Sequence, residues 1–172
     1  TVVNKNTLSD LGQESVGVRC DSRSKYIEVP HVDGNPYDVE KTDKFSLLWY
    51  GSINVLPTVD GTDVSLCGKH ASGQNGYSLS LNRGSGDTYS LGFRMRDDGA
   101  GISITKAVSK SSLGYGNLLV GISDGSLIHF YLNGVYVGNK SISTVTNSIK
   151  NTQSFKMIGN AVLSGNPSST AS

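Results

Sequence analysis

Apolar and polar residues alternate along most of this chain with a period of two. The clearest example is residues 124–139, DGSLIHFYLNGVYVGN, in which two alternating runs flank Asn133-Gly134. Such alternation predicts β-strands that bury one face, and Asn-Gly between two runs predicts a type I′ hairpin turn. Because no segment combines helical periodicity with helix caps, the sequence predicts an all-β chain.

The hairpin turn also predicts which residues lie opposite each other. The predicted pairs are Leu132–Val135, Tyr131–Tyr136 and Phe130–Val137. Opposed residues point to the same side of a sheet, so Phe130 is expected in the core. Tyr131, Tyr136 and His129 are expected together on the outer face.

About ten strand-like segments are separated by turns rich in Gly, Ser, Asn and Asp. In 45–51, alternation predicts a core face that includes Trp49 and an outer face with Leu48 and Tyr50. The segment 141–145, SISTV, is read as one more strand, and SKSSLGYG, 109–116, as loop. The pattern predicts a two-sheet antiparallel β-sandwich that forms one domain over 1–163, followed by a flexible tail or linker over 164–172.

The charge balance and the lack of long apolar runs exclude two classes of partner. Fifteen Lys and Arg residues against 14 Asp and Glu leave no basic surplus for a nucleic-acid backbone. No apolar run approaches the ~18 residues of a membrane span, so no membrane insertion is expected. Cys20 and Cys67 form no metal-ligand cluster. Cys20 is in phase with Val16 and Val18, which favours a buried thiol, while a disulfide stays open.

Three motifs in order resemble one family. KYIEVP followed by FSLLWYGSI, then CGKHASGQNGYSLSLN, then LLVGISDGSLIHFYLNGVYVGN, together resemble the laminin-G-like, or concanavalin A-like, jelly-roll domains over roughly 24–160. The resemblance implies a jelly-roll sandwich that binds carbohydrate or protein, within a larger extracellular, viral or phage protein. The closing strand of that family, G-x-I-D-x-x-x-I-Y, is not found. Either SVGVRC, 15–20, takes its place or the chain stops before it.

Catalysis is not expected, although some sandwiches of this shape are glycoside hydrolases. That chemistry uses two carboxylates on a cleft, and laminarinase-type relatives carry them as E-x-D-x-x-E. The glutamates Glu14, Glu28 and Glu40 show no such spacing. The three histidines are accompanied by no G-x-S-x-G nucleophile elbow. We therefore expect a protein that is not an enzyme.

Calcium is the one cofactor that the resemblance suggests. Laminin-G-like domains often hold Ca²⁺ between loops, and two turns here offer carboxylates. Asp60 and Asp63 lie in DGTD, and Asp97 and Asp98 lie in RDDGAG. Calcium takes six to eight oxygens, and each turn supplies two side chains. The ordinary use of Asp in turns explains both clusters and is the favoured interpretation.

Three explanations compete for the outer tyrosines of the hairpin. The pair stabilises the hairpin alone, or it stacks against sugar rings, or a neighbouring domain or subunit covers it. Arg94 and Arg96 would join it and bind acidic sugars if their strand belonged to the same sheet. Taken with the resemblance, these residues predict a non-catalytic recognition module, extracellular or virion-associated, whose partner is a glycan or a neighbouring subunit. The alternative is a purely structural assembly domain.

Overall fold

A computed structural model describes residues 5–8, 15–18, 27–70 and 75–160, and for 5–8, 15–18 and 158–160 it describes the backbone alone. The strands are β1 Lys5–Leu8, β2 Ser15–Val18, β3 Ile27–Val29, β4 Phe45–Gly51, β5 Asp63–His70, β6 Gly76–Arg83, β7 Tyr89–Arg96, β8 Gly101–Val108, β9 Asn117–Ser123, β10 Leu127–Leu132, β11 Val135–Ser141 and β12 Phe155–Asn160. One helical turn, α1 Lys110–Leu113, precedes β9, and 3₁₀ turns cover Ser85–Asp87 and Ile142–Thr144.

The strands form two main antiparallel sheets. The large sheet has six strands in the order β3-β12-β5-β6-β7-β8, and the small sheet has four in the order β11-β10-β9-β4. Within the described part of the chain, β1 and β2 pair only with each other. The two-sheet antiparallel sandwich predicted from the alternation is confirmed.

The core lies between the inner faces of the two sheets. Its most buried strand residues include Leu47, Trp49, Leu79, Leu81, Leu91, Phe93, Met95, Leu119, Ile128 and Phe130. Each alternates with an outward residue, as the period of two requires. A Cβ at Gly121 on β9 would lie 2.5 Å from the ring of Phe93 on β7. The glycine therefore lets an aromatic ring of one sheet rest directly on the backbone of the other.

The segment predicted as a strand over 141–145 is instead a turn. Ile142–Thr144 form the 3₁₀ turn, and the Ser141 hydroxyl accepts a hydrogen bond from the backbone N–H of Ser143. Serine competes in this way with strand pairing. Ile142, Val145 and Ile149 are buried, so this irregular segment still closes part of the core.

Two further sequence assignments are corrected, and three lie outside the described residues. The loop predicted over 109–116 contains the helical turn α1, capped by Ser109. β1 was not predicted, because its residues show little alternation. Cys20, the SVGVRC segment beyond Val18 and the tail 164–172 lie outside the described residues, and the domain bounds 1–163 stay a prediction.

The C-terminal end of β5 buries a lysine that is paired with two half-buried side chains. Lys69 is 2% exposed, and its Nζ donates to Asp38 Oδ1 at 2.6 Å and to His31 Nδ1 at 3.1 Å. A buried charge is stable only when it is paired and hydrogen-bonded. Lys69 thus ties the connection before β4 to the sandwich. On the same strand Cys67 is a free thiol, and burial raises its pKa to about 12, so it is chemically inert.

Candidate functional site

The β10–β11 hairpin presents an aromatic surface on the outside of the small sheet. Its turn has the type I′ conformation, with φ of 53° at Asn133 and 79° at Gly134. Leu132 pairs with Val135, and Tyr131 pairs with Tyr136, as predicted. The amide oxygen of Asn133 also accepts from the N–H of Leu118 at 2.8 Å, which fastens the turn to β9.

The predicted pairing of Phe130 with Val137 is wrong, because a β-bulge shifts the register. Phe130 pairs with Gly138 and His129 pairs with Asn139, so Val137 is an extra residue on β11. The bulge lies beside Gly138, whose φ is 157°, and glycine inside a strand often marks such a feature. Phe130 still points into the core and is fully buried.

The tyrosine pair is partly exposed and forms an aromatic surface that a ligand can contact. The ring centroids of Tyr131 and Tyr136 lie 5.1 Å apart with an interplanar angle of 51°, and His129 lies 6.3 Å from Tyr136. Tyr136 is 47% exposed, while Tyr131 is half-buried. Three of the sequence-predicted site residues, Tyr131, Tyr136 and His129, are therefore brought together.

Asn139 and Asp124, which the sequence did not indicate as site residues, fix Tyr136 and His129 by hydrogen bonds. Asn139 Nδ2 donates to the Tyr136 hydroxyl at 2.7 Å, and that hydroxyl lies 3.5 Å from His129 Nδ1. His129 Nε2 lies 3.1 Å from Asp124 Oδ2. With the Nε2–H tautomer, histidine donates to the carboxylate and accepts from tyrosine. We call Asp124, His129, Tyr131, Tyr136 and Asn139 the hairpin platform.

Asp124 stays ionised at the edge of the hairpin platform. The backbone N–H of Leu127, then the His129 side chain and the N–H of Ser126, lower the pKa of this carboxyl to about 2. These are hydrogen bonds to the charged form, which favour ionisation. The platform therefore combines two aromatic rings with a fixed chain of hydrogen-bonding groups.

Arg94 and Arg96 do not join the hairpin platform. Both lie on β7 of the large sheet, where they alternate with the core residues Phe93 and Met95 and so point away from the small sheet. The condition for an acidic-sugar site that combines these arginines with the tyrosines is not met. Arg94 instead forms an ion pair with Asp63, which is buried on the same outer face.

Three of the four aspartates proposed for calcium, Asp97, Asp60 and Asp63, have hydrogen-bond or ion-pair partners within the protein. Asp97 is fully buried and accepts the N–H groups of Gly99, Ala100 and Asn147, which hold its pKa far below the ordinary range. Asp98 is exposed beside it. In the other turn, Asp60 forms an ion pair with Arg83 at 2.9 Å, and Asp63 forms one with Arg94. Over the described ranges no cluster of three or more His, Cys, Asp or Glu could hold a metal ion.

Comparison with known proteins identifies the fold and no more. No protein-family model matches the chain, and no curated protein matches it. Among solved structures it is similar to domains LG4-5 of the mouse laminin alpha1 chain, at 14% identity and a TM-score of 0.50, over 79% of this chain and 32% of that one. It also matches the family 18 polysaccharide lyase aly-SJ02, at 12% identity and a TM-score of 0.36, over 69% of this chain and 53% of that one.

The laminin likeness confirms the laminin-G-like, concanavalin A-like jelly-roll fold expected from the motifs. The chain spans less than two thirds of either solved structure, 32% of one and 53% of the other. In the part of the chain that the structure describes, no helix is long and apolar enough to cross a membrane.

Proposed function

We propose that this domain is a non-catalytic recognition module that binds carbohydrate at the hairpin platform. One observation carries the proposal: Tyr131 and Tyr136 lie side by side on an outer sheet face, with a hydrogen-bonded chain of polar groups beside them. Ligand sites typically combine apolar or aromatic contact area with a few placed polar groups. A pyranose ring offers the matching pair of surfaces, an apolar face and a rim of hydroxyls.

Hydrogen bonds to neighbouring side chains fix the orientation of two rings of the hairpin platform. Asn139 fixes the hydroxyl of Tyr136, and Asp124 fixes the ring of His129. Site residues held by a second set of hydrogen bonds are ready to bind without further ordering. The partly exposed tyrosines supply contact area, while Asn139 and His129 supply donors and acceptors for hydroxyl groups.

A binding role fits this surface better than hydrolysis. The described residues of the hairpin platform include one carboxylate, Asp124, whereas glycoside hydrolysis uses two across the scissile bond. Asp124 is also strongly held in its ionised form and cannot serve as the general acid near neutral pH. We place the domain in a larger extracellular or virion-associated protein, as an attachment or decoration module.

A glycan array probed with the purified domain tests the proposal. Tyr131→Ala and Tyr136→Ala should each lower the affinity for any glycan bound by at least about tenfold, because aromatic anchors often contribute ~2 kcal/mol or more. Tyr131→Phe should retain most of the binding because it keeps the ring.

Tyr115→Ala is the matched control for this test. Tyr115 is 75% exposed and lies in the loop before β9, two residues outside the small sheet. Its replacement should leave binding unchanged. Binding that survives loss of both platform tyrosines, or no binding to any glycan on the array, would refute the proposed function.

A further inference from the structure

We propose that the ligand is a linear, uncharged glycan that lies across the strands of the small sheet, from the hairpin platform to β4. This inference rests on the proposed function and names the class and orientation of the ligand. Its basis is the register of the four strands and the charge of their outer face.

One row of outward residues crosses the whole small sheet without interruption. Leu48 on β4 pairs with Val120 on β9, Val120 pairs with Tyr131 on β10, and Tyr131 pairs with Tyr136 on β11. Neighbouring strands lie about 4.8 Å apart, so this apolar row spans roughly 14 Å between its outermost strands. Leu48 is 59% exposed and Tyr136 is 47% exposed, so both ends are open to solvent. The row is therefore longer than one sugar ring, and the half-buried Val120 and Tyr131 connect its two open ends.

The next row supplies hydrogen-bonding groups along one side of the apolar row. Ser46 pairs with Ile122, Ile122 with His129, and His129 with Asn139. Polar side chains thus stand at both ends of this second row. A sugar chain that lies on the apolar row places its hydroxyl rim beside these groups. An orientation along a single strand would leave most of the apolar row uncovered.

The outer face of the small sheet carries no formal charge at its strand positions. Those positions are Ser46, Leu48, Tyr50, Leu118, Val120, Ile122, Leu127, His129, Tyr131, Tyr136, Asn139 and Ser141. Lys140 pairs with the buried Ile128, so its side chain leaves β11 on the opposite side of the sheet. Lys44 and Asp124 lie just beyond the last paired residues at one end and oppose each other in charge.

An acidic sugar would find no cation in the apolar row. Carboxylates and sulfates are recognised chiefly by arginine and lysine, through charge-assisted hydrogen bonds. The arginines Arg94 and Arg96 lie on the large sheet and point the other way. Desolvating an anion on an apolar surface without a partner is costly. Uncharged sugars avoid this cost and still use the polar row.

Titration calorimetry with two matched sets of probes tests the inference. The uncharged set is cello-, manno- and xylo-oligosaccharides from disaccharide to hexasaccharide, and the acidic set is oligogalacturonates of the same lengths. At least one uncharged series should bind, with an affinity that rises at least about tenfold from disaccharide to tetrasaccharide as Leu48 becomes covered. Raising the salt concentration should change this affinity little, because no ion pair forms.

Leu48→Ser separates an extended site from a local one. The variant should lose most of the gain with chain length yet keep the disaccharide affinity, whereas Tyr131→Ala should weaken both. Val135→Ser is the matched control, because Val135 is 68% exposed but lies outside the row. Thermal melting of Leu48→Ser and Val135→Ser should match that of the parent domain, since both side chains are exposed, whereas Tyr131→Ala should lower the melting temperature only slightly, through the loss of one cross-strand pair.

The possible results distinguish failure of this inference from failure of the proposed function. Preferential binding of oligogalacturonates, or a length gain that survives Leu48→Ser, would overturn the inference while the proposed function stands. Failure of both probe sets and of the array would overturn the proposed function as well. Sedimentation equilibrium should show a monomer. A dimer that Leu48→Ser dissociates would assign this face to a second copy of the chain and would also overturn the inference.

Discussion

Phe130 and Tyr131 are adjacent in sequence, yet their replacement by alanine should have opposite effects. Phe130 is fully buried between the sheets, whereas Tyr131 points outward and contacts Tyr136. The hairpin platform can bind a ligand only if Tyr131 faces outward while Phe130 stays in the core. We therefore expect Phe130→Ala to damage folding with no direct effect on the platform, and Tyr131→Ala to damage binding with little effect on folding.

The expected cost of Phe130→Ala lies at the upper end of the usual range. Removing a buried phenylalanine costs about 3–5 kcal/mol, and more when neighbours cannot collapse into the cavity. Phe130 pairs with Gly121 on one side and Gly138 on the other, and neither has a side chain to fill the space. We expect about 4–5 kcal/mol, a large part of the 5–15 kcal/mol that holds a typical domain. Tyr131→Ala loses a cross-strand pair worth at most ~1 kcal/mol.

Urea unfolding followed by tryptophan fluorescence measures both changes. Trp49 is the single tryptophan and is 4% exposed, so it reports directly on opening of the sandwich. Phe130→Leu and Tyr131→Phe are the conservative controls, and each should recover most of the loss. If Tyr131→Ala unfolds the domain while Phe130→Ala is tolerated, the register is off by one residue and the platform faces inward.

Three other outcomes are expected. Burial, then the charges of Arg94 and Arg96, lower the pKa of His70 to about 4. Because an unfolded histidine titrates near 6.5, the unfolded state takes up the proton first, so stability present above pH ~6.5 should fall by roughly 1–3 kcal/mol towards pH ~4. His70→Gln should flatten this slope in pH-dependent thermal melts. Gly121→Ala should destabilise the domain in urea titrations, because its Cβ would meet the Phe93 ring at 2.5 Å. EDTA should leave the melting temperature unchanged, and a sharp drop restored by Ca²⁺ would contradict the turn interpretation of the aspartates.

The fold was predictable because alternation is a property of each strand by itself. Strand geometry alone determines which face each residue of β4 occupies. As expected, Leu48 and Tyr50 point outward and Trp49 is buried. The turn at 133–134 was equally local, because Asn and Gly tolerate positive φ. The strand predicted over 141–145 failed because a hydrogen bond from the chain to a serine side chain outweighed a weak apolar pattern.

The candidate site was only partly predictable, because its remaining members depend on contacts between segments. The alternation placed Tyr131 and Tyr136 together. The alternation did not predict Asn139 at the site, because a regular period of two from Tyr136 places that residue on the inner face. Gly138 was the one sequence signal of a β-bulge. Asp124 read as an ordinary turn residue. The separation of Arg94 from the tyrosines depends on which sheet receives β7, and strand periodicity carries no such information.

The bulge at Val137 has an evolutionary consequence. Were β11 regular from its turn onward, Gly138 would lie opposite His129, and Lys140 would lie opposite Leu127 on the outer face. The surface would then lose an amide and acquire a cation without a single substitution. A homologue that kept every residue of β11 but paired it without the bulge would therefore present Lys140 on the outer face, and on the proposed site this cation would favour acidic sugars. The register of a strand, as well as its residue types, thus determines which groups its outer face presents.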